Sequence, residues 1–299
     1  SSDGIAYVTP ADLDGDHITD YVYAGDLLGN LWRFDLTSNN PSNWAAATAP
    51  LFTTQSGQPI TTKVVVASGM TQQGPQRLLI AFGTGQKTPL TNTTPVSYIG
   101  GTQDIYGVWD WNMAGWNSIS TARYASLSGP YTLGKTNLQQ QTVTVAASGN
   151  RDITANSPVC WQGSTECGSN NTQFGWYLDL PGTAEQIVFN PELVGPAFTV
   201  NSTVPALNSL TACTSSTDAG FTYALSVMSG GAFTNAFPHY NDTVAAGVET
   251  DATGTAFVIT TANGSKYLVY ETVLNTKGAT QLNVPASVKT NRLTWAELR

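Results

Sequence analysis

Short apolar runs recur along the chain between turns rich in Gly, Ser, Thr and Asn. Most runs alternate apolar with polar positions, or are built from β-branched and aromatic residues, which is the pattern of strands in antiparallel sheets. One short helix is indicated, at residues 295–298. The sequence therefore predicts an all-β fold. The predicted strands are 21–25, 31–35, 63–67, 78–82, 105–109, 142–145, 175–179, 186–189, 197–200, 222–225, 256–259 and 266–270.

A weak internal repeat favours a β-propeller among the all-β folds. Residues 29–36, 175–180 and 220–226 each begin with Gly and continue with alternating aromatic or Leu positions before a polar turn. Inner or middle strands of propeller blades have this pattern, with one face turned towards the neighbouring blade. Alternation of this kind also occurs in other antiparallel sheets, so the repeat favours a propeller without excluding a sandwich.

Composition and charge narrow the class of protein. The 299 residues include 12 Lys and Arg against 20 Asp and Glu, giving a formal charge of −8 with only 11% charged residues, whereas ordinary domains have about 25%. An acidic chain without a basic cluster binds polyanions poorly, so we expect no nucleic-acid partner. No apolar run approaches the roughly 18 residues of a membrane span. The polar capacity comes mainly from uncharged side chains, and we expect an extracytoplasmic protein.

The cysteines support that location. The chain has Cys160, Cys167 and Cys213, no C-x-x-C pair and only His17 and His239, which leaves too few ligands for a zinc site. Cys160 and Cys167 flank a polar stretch of six residues. We expect them to form a disulfide, since such bonds persist in oxidising compartments. Cys213 would then lack a partner in this chain.

One nine-residue segment carries clear metal chemistry. Asp12, Asp14, Asp16 and Asp20 occupy positions 1, 3, 5 and 9 of the segment. Mutual repulsion among four carboxylates is costly unless a cation neutralises them. Calcium takes about six to eight oxygen ligands, and a loop with acids at alternate positions can surround one ion. We predict a Ca²⁺ site formed by Asp12, Asp14, Asp16, Asp20 and the carbonyl oxygen of Ile18 at position 7.

This segment is not an EF-hand. Position 12 is Tyr23, which cannot supply the bidentate carboxylate of that motif, and the following residues are predicted to form a strand rather than a helix. Position 6, usually Gly, is His17. Histidine tolerates positive φ better than most non-Gly residues. We therefore expect a strained turn at His17 and a reduced calcium affinity.

The stretch from Asp12 to Leu36 resembles the C-terminal domain of the PilY/PilC family, the tip-associated adhesins of type IV pili. In that family a nine-residue calcium loop leads directly into a Y-x-G-D-x-x-G-N-x-W-R-x-D strand pair, and residues 23–35 carry every element of it. Two positions depart from the family pattern: Gln86 replaces an Arg and His17 replaces the loop Gly. Neither change removes a carboxylate ligand. Further similar segments are 81–86, 105–110, 175–181 and 292–298.

The resemblance implies a fold, a function and partners. It makes residues 1–299 the C-terminal part of a PilY/PilC-like β-propeller domain, with the C-terminal blades of a larger, roughly seven-bladed propeller. It implies a non-enzymatic protein that uses Ca²⁺ to regulate pilus extension against retraction, surface adhesion and twitching motility. The implied partners are minor pilins, the pilus tip, a host-cell or abiotic surface, and the N-terminal part of the same protein as a separate chain. The implied location is the cell surface or fimbrium, associated with the outer membrane after export through the periplasm.

Two other functions remain open from the sequence. Trp109, Trp111 and Trp116 lie in a stretch that reads as exposed, so a calcium-stabilised carbohydrate-binding module is one alternative. Trp109 continues a predicted strand, and for this residue we expect core packing instead. A quinoprotein dehydrogenase propeller is the other, although that family resembles this chain less well because it pairs adjacent cysteines against its quinone.

A glycosidase is a weaker enzyme hypothesis. Asp110, Asp179 and Glu185 include the residue types of a catalytic acid and base. Nothing in the sequence brings these three carboxylates together.

Overall fold

The computed structural model describes residues 3–69, 75–88, 98–206 and 216–285, and the backbone of 290–292. These residues form four mainly antiparallel β-sheets, a six-residue helix and three short 3-10 turns. Within them, no helix has both the length and the apolar character needed to cross a membrane. The all-β prediction is confirmed. The predicted helix at 295–298 and Cys213 lie outside the described residues.

The described residues form one short helix, three 3-10 turns and twenty strands. The helix α1 spans Ala114–Ile119, and the 3-10 turns span Pro41–Asn43, Lys135–Asn137 and Pro238–Tyr240. The strands are β1 Ile5–Ala11, β2 Tyr21–Asp26, β3 Asn30–Asp35, β4 Ala45–Ala46, β5 Phe52–Thr53, β6 Val65–Gly69, β7 Arg77–Gly83, β8 Asp104–Trp109, β9 Gln139–Gln140, β10 Thr144–Val145, β11 Arg151–Asp152, β12 Gly175–Asp179, β13 Glu192–Val194, β14 Ala197–Asn201, β15 Phe221–Ser226, β16 Ala245–Glu249, β17 Ala252–Thr260, β18 Lys266–Thr272, β19 Lys277–Leu282 and β20 Thr290–Arg292.

Neighbours in each sheet are mostly neighbours in sequence. The first sheet has the order β1-β2-β3-β4, with β5 also paired to β3. The second sheet is β20-β6-β7-β8-β12-β9, the third is β10-β11-β16-β15-β14-β13, and the fourth is β17-β18-β19. The strands predicted from the internal repeat become β3, β12 and β15, each paired on both sides. Each of the three is thus a middle strand of its sheet rather than an edge strand.

Aromatic side chains join the first sheet to the second. Phe52 lies against Phe82 with ring centroids 6.3 Å apart, and against Tyr106 at 5.2 Å. All three are fully buried. Burial of such large rings dominates the energetics of a core, and these contacts hold the two sheets face to face.

The opposite face of the second sheet packs on the third. Trp176 of β12 is fully buried and its indole nitrogen donates to the carbonyl oxygen of Val227 at 2.9 Å. A Cβ at Gly83 would lie 2.3 Å from Cγ1 of Ile187, so only Gly allows this close approach. This contact explains why residue 83, in the family-like segment 81–86, is Gly.

A separate core joins the third sheet to the fourth. It is formed from small residues of the third sheet, such as Ala197 and Ala224, against Leu268 and Leu282 of the fourth. The side-chain nitrogen Nδ2 of Asn201 also donates to the carbonyl oxygen of Gly254 at 3.0 Å. The four sheets are therefore stacked in chain order, each packed on the next.

The strand predictions were wrong at a few places. Residues 186–189 do not form a strand, since Gln186 makes only an isolated bridge to Thr203. The predicted strand at 142–145 is reduced to Thr144–Val145. The alternation missed β16 and β19 because their sequences are rich in Ala, Gly and Thr, which give a weak apolar signal. It also missed β1, although that strand contains Ile5, Tyr7 and Val8.

The predicted disulfide is present. Cys160 and Cys167 are bonded, with their Cα atoms 5.5 Å apart. The amide nitrogen of Cys160 also donates to the side-chain oxygen of Gln173 at 2.6 Å. The bond thus closes the polar loop beside the second sheet.

Candidate metal centre

The nine acidic-loop residues form the connection between the first two strands. β1 ends at Ala11 and β2 begins at Tyr21, so the segment 12–20 is a long hairpin loop. The loop base is closed by the amide of Asp20, which donates to the carbonyl oxygen of Ala11 at 2.9 Å, and by the amide of Leu36, which donates to the carbonyl oxygen of Asp20 at 2.9 Å. Asp20 thereby contacts β1 and the end of β3.

Three of the predicted ligands converge. One carboxylate oxygen from each of Asp12, Asp14 and Asp20 lies within 4.8 Å of the other two. Asp12 and Asp14 are solvent-accessible to different degrees, whereas Asp20 is buried. Carboxylate oxygens are the ligands that a hard dication such as Ca²⁺ prefers. Three of them lie close enough together here to contact one ion.

The loop amides hold these carboxylates in place. Asp12 accepts from the amide of Gly15 at 2.7 Å and from the amide of His17 at 3.0 Å, one bond on each oxygen. A carboxylate has about four lone-pair sites, so each oxygen retains capacity for a further ligand. Gly15 has φ of 80° and His17 has φ of 72°. The positive φ expected at His17 is therefore present.

The other two predicted ligands have different positions. Asp16 is exposed and lies outside the converging group, and its Oδ1 accepts from the amide of Ile18 at 2.8 Å. The Ile18 side chain is 63% exposed. Asp16 and the carbonyl oxygen of Ile18 remain predicted ligands.

Asp20 has the most perturbed environment of the loop carboxylates. Its Oδ2 accepts from the amide of Leu13 at 2.7 Å. Burial, followed by the negative charges of Asp14, Asp12 and Asp16, raises the pKa of Asp20 to about 6, against the opposing effect of the Leu13 amide. A cation beside these groups would favour the ionised form. The carboxylate ligands, their convergence and the repulsion between their negative charges all fit a bound calcium ion.

Two residues missed by the sequence reasoning anchor the loop. Leu13 is buried, 3% exposed, in the middle of the acidic segment. Its carbonyl oxygen accepts from the hydroxyl of Tyr124 at 2.9 Å, 111 residues away in sequence. The apolar Leu13 within an acidic loop was a signal that this residue packs inwards, but nothing local identified Tyr124.

The family motif after the loop builds a rigid turn. Asp26 is nearly fully buried and its carboxylate accepts from the amides of Leu28 and Asn30 at 2.9 and 2.8 Å. Its Oδ2 also accepts from the Asn30 side chain at 2.9 Å and from the indole nitrogen of Trp32 at 2.7 Å. The D-x-x-G-N-x-W spacing thus allows one carboxylate, that of Asp26, to bind the donors of the β2–β3 turn.

A buried ion pair connects this hairpin to the second sheet. One terminal nitrogen of Arg33 lies 2.9 Å from each oxygen of Asp110, whose side chain is fully buried. The hydroxyl of Tyr23 donates to Asp110 at 2.7 Å. Burial, followed by the charge of Asp110, raises the pKa of Tyr23 well above its usual value. Arg33 also lies over the ring of Tyr21, 5.1 Å from its centroid, so the network reaches the residue next to Asp20.

The tryptophan platform expected for a carbohydrate-binding module is not exposed. Trp109, Trp111 and Trp116 are 1%, 8% and 2% exposed. Trp116 belongs to α1, donates to the carbonyl oxygen of Ala122 at 2.6 Å and packs against Tyr21 with centroids 6.2 Å apart. The expectation that Trp109 packs in the core is confirmed. The exposed reading was wrong for Trp116 because α1, absent from the prediction, turns this side chain into the core.

The carboxylates considered for a glycosidase are each engaged with a different cation. Asp110 pairs with Arg33, and Glu185 lies 3.2 Å from Arg151 while accepting from the hydroxyls of Ser202 and Tyr223. Asp179 pairs with Lys135, which also contacts Asp104 at 2.7 Å. These three networks are held by different basic residues, and none presents two free carboxylates to a common substrate position.

Comparisons with known proteins place this chain among PilY1-like proteins. Residues 1–151 match the family model of the PilY1 beta-propeller domain. The type IV pilus biogenesis factor PilY1 of Pseudomonas aeruginosa strain PAO1 is 32% identical over 206 residues, covering 59% of this chain and 16% of that protein. A PilY1 homolog of Xylella fastidiosa is 25% identical over 248 residues, covering 77% of this chain and 14% of its own length. The chain thus spans about a sixth of the length of these relatives.

A solved structure extends the match to nearly the whole chain. The crystal structure of the P. aeruginosa PilY1 C-terminal domain is similar with a TM-score of 0.67 and 25% identity, covering 95% of this chain and 62% of that one. The named relatives are pilus biogenesis factors rather than enzymes. The stacked sheets described above are accordingly part of a β-propeller. The chain belongs to the PilY1 family of type IV pilus biogenesis factors.

Proposed function

We propose that this chain is the calcium-responsive part of a type IV pilus protein that acts in pilus extension and retraction, surface adhesion and twitching motility. The observation that carries the proposal is the convergence of Asp12, Asp14 and Asp20 on the loop between β1 and β2. Ca²⁺ is the proposed ion, held by these three carboxylates together with Asp16 and the carbonyl oxygen of Ile18. The ion would supply the positive charge that the loop lacks.

The residues around the loop suggest how occupancy reaches the rest of the domain. Asp20 is both a proposed ligand and a backbone partner of Ala11 and Leu36, so its position affects three strands of the first sheet. The adjacent Tyr21 contacts Arg33, whose ion pair with Asp110 spans the first and second sheets. A change in calcium occupancy would therefore act on the second sheet through the contacts of Tyr21 with Arg33 and of Arg33 with Asp110, which is how a local electrostatic switch affects a larger element.

The proposed location is outside the cytoplasm, on the cell surface or fimbrium and associated with the outer membrane after export through the periplasm. The disulfide between Cys160 and Cys167 supports this proposal because such bonds form in the periplasm and beyond. The proposed partners are minor pilins, the pilus tip and a host-cell or abiotic surface. The pilus association follows from the relatives, which are named as type IV pilus biogenesis factors.

A piliation assay tests the function. The natural gene would be replaced by versions carrying Asp14→Ala or, as a matched control, Asp3→Ala, which changes an exposed aspartate outside the loop. We expect Asp14→Ala to reduce surface pili and twitching in calcium-containing medium to the level that the unchanged strain shows with a chelator. Asp3→Ala should behave as the unchanged strain.

Two results would count against the proposal. Equal piliation in all three strains at every calcium level would show that the loop does not control pilus dynamics. Normal piliation with lost attachment would restrict the function of the loop to adhesion. Immunoblots of the surface fraction would show whether each variant is exported in equal amounts.

A further inference from the structure

Residues 160–167, here the disulfide loop, border a cavity of about 320 Å³. The other walls include Arg77 and Trp109, which lie on neighbouring strands of the second sheet, and the segment 125–127. Pockets for small ligands have volumes of roughly 300–1,000 Å³. The cavity is therefore large enough for one small molecule, and none of its lining residues belongs to the acidic loop.

Contacts within the protein hold the walls of this cavity in place. The side-chain oxygen of Asn171 accepts from the amide of Cys167 at 3.1 Å and from the hydroxyl of Ser164 at 3.0 Å. Gly163 has φ of 76°, and a Cβ there would lie 2.7 Å from Cδ2 of Leu127 on the opposite wall. A larger residue at this position would be strained and would press on that wall. The cavity is thus largely pre-formed, as ligand sites usually are.

Arg77 is the charged group of the cavity. It is 5% exposed, and Cζ of its guanidinium lies 4.9 Å from the ring centroids of both Trp109 and Trp161. Contacts with two indole rings restrict the orientation of the guanidinium. Burial lowers the pKa of Arg77, and the charge of Glu166 in the disulfide loop opposes this effect. Because arginine stays protonated in proteins, the site keeps a buried positive charge that an anion would stabilise.

Trp109 has a hydrogen-bond donor that a ligand could engage. Its side chain is 1% exposed, and among the described residues no acceptor is bonded to its indole nitrogen Nε1. Buried tryptophan nitrogens usually have an acceptor. A buried donor without one calls for an explanation, and a bound molecule is one of the few available. An oxygen atom of a ligand would satisfy this nitrogen.

The remaining polar lining of the cavity is uncharged. Hydroxyl or amide side chains are contributed by Ser126, Gln162, Ser164 and Thr165. Such groups both donate and accept, which suits a ligand with several hydroxyls. Arginine binds a carboxylate through two parallel hydrogen bonds. One cation among neutral polar groups therefore favours a ligand that carries a single carboxylate and several hydroxyls.

We propose that this cavity binds a carboxylated sugar residue, a uronate of the kind found in acidic polysaccharides. Arg77 would bind the carboxylate, the indole nitrogen of Trp109 would donate to an oxygen of the sugar, and the disulfide loop would contact the remaining hydroxyls. The proposal adds a ligand class to the proposed adhesion. It depends on residues outside the acidic loop, so it holds or fails independently of the calcium site.

Titration of D-galacturonate and D-glucuronate into the purified chain, followed by tryptophan fluorescence, tests the ligand class. The matched neutral probes are D-galactose and D-glucose, which lack the carboxylate. Acetate and N-acetylglycine carry a carboxylate without the sugar. We expect at least one uronate to bind, and its neutral counterpart to bind at least about tenfold more weakly because a charge-assisted hydrogen bond is lost. Both simple carboxylates should also bind more weakly than that uronate.

NMR of the indole N–H groups locates the bound sugar. The resonance of Trp109 should move when the uronate is added. Trp44 is the control, since its indole nitrogen already donates to the carbonyl oxygen of Ser38 at 2.8 Å and it does not line this cavity. Its resonance should stay in place.

Two substitutions address the charge. Arg77→Gln should abolish uronate binding. Because Arg77 is buried and this variant could fail to fold, Glu166→Gln gives a second readout: it removes a negative charge that favours the same guanidinium, so uronate affinity should rise severalfold. Glu271→Gln, at an exposed position of β18, should leave the affinity unchanged.

Several results would overturn the proposal. One is that neither uronate binds, and another is that the neutral sugars bind equally well. Acetate or N-acetylglycine binding as tightly as the uronate would identify a general carboxylate or peptide C-terminus site instead. An unmoved Trp109 resonance, or a uronate affinity that does not rise in Glu166→Gln, would show that the sugar does not occupy this cavity.

Discussion

The backbone amide of Leu13 donates to the buried carboxylate of Asp20 at 2.7 Å, which links the second residue of the acidic loop to its last. Because Leu13 is itself buried and bonded to Tyr124, this link fixes Asp20 against the protein rather than in solvent. The loop therefore has part of its ligand arrangement in place before any ion binds. This arrangement is unfavourable without an ion because the Asp20 carboxylate is held near the negative charges of three other aspartates.

That arrangement predicts opposite pH effects on stability and on calcium binding. The pKa of Asp20 is raised to about 6 in the folded protein, whereas an unfolded aspartate titrates near about 3.9. The folded state thus binds the proton more tightly, and this contribution to the unfolding free energy is complete below about pH 4 and is lost as the pH rises through about 6. Calcium competes with the same proton, so its affinity should fall as the pH drops below about 6.

Unfolding curves and calcium titrations of the protein at about pH 5 and about pH 7 would check both signs. Asp20→Asn should remove the pH dependence that Asp20 contributes to metal-free stability and should weaken calcium binding at both values. Asp3→Asn is the control and should leave both dependences as they are. A calcium affinity that rises on acidification would contradict this assignment.

Breaking the Arg33–Asp110 pair should destabilise the protein strongly. Asp110→Ala leaves the guanidinium of Arg33 and the hydroxyl of Tyr23 without this acceptor in a buried site. Loss of one partner of a buried pair costs about 3–5 kcal/mol. The unfolding free energy from urea titration would measure this. Glu271→Ala, at an exposed position of β18, should change it by less than about 0.5 kcal/mol, and a similar small loss for Asp110→Ala would contradict the role of the pair.

The Tyr124 hydroxyl should contribute to both stability and calcium affinity. Tyr124→Phe removes the bond to the Leu13 carbonyl oxygen while keeping the ring. We expect a loss of about 0.5–1.5 kcal/mol in unfolding free energy, accompanied by weaker calcium binding because Leu13 positions Asp20. Tyr131→Phe, a tyrosine in the same core but away from the loop, serves as the comparison. Unchanged calcium affinity in Tyr124→Phe would show that this anchor does not affect the site.

Removing the disulfide should affect stability alone. The bond between Cys160 and Cys167 closes a short loop of sequence separation 7, so the chain-entropy estimate of its contribution is about 2 kcal/mol. Replacing both cysteines by Ser should lower the unfolding free energy by that amount and leave the calcium titration unchanged. An equally stable double variant would mean that the bond does not form in the native protein.

The sequence predicted the fold class and most strands because alternation and β-branched residues are visible within a single short segment of the chain. It failed at α1, where the short helix of Ala114–Ile119 has neither a side-chain cap nor a long apolar period to announce it. That failure produced the wrong expectation for Trp116.

The candidate site was predictable in its local part only. The spacing of Asp12, Asp14 and Asp20 identified residues that the structure brings together, because a loop of nine residues constrains its own geometry. The contacts that connect the loop to the rest of the molecule, Tyr124 with Leu13 and Arg33 with Asp110, join residues 111 and 77 positions apart. Such pairs depend on how the sheets stack, which local patterns do not contain.

Calorimetric titration of calcium into the purified chain tests the central claim most directly. The unchanged protein and Asp3→Ala should each bind a single Ca²⁺ per chain with measurable heat, and Asp14→Ala should show none while keeping the same circular dichroism spectrum. Absence of heat with the unchanged protein, or equal binding by Asp14→Ala, would contradict the calcium site on which the proposed function depends.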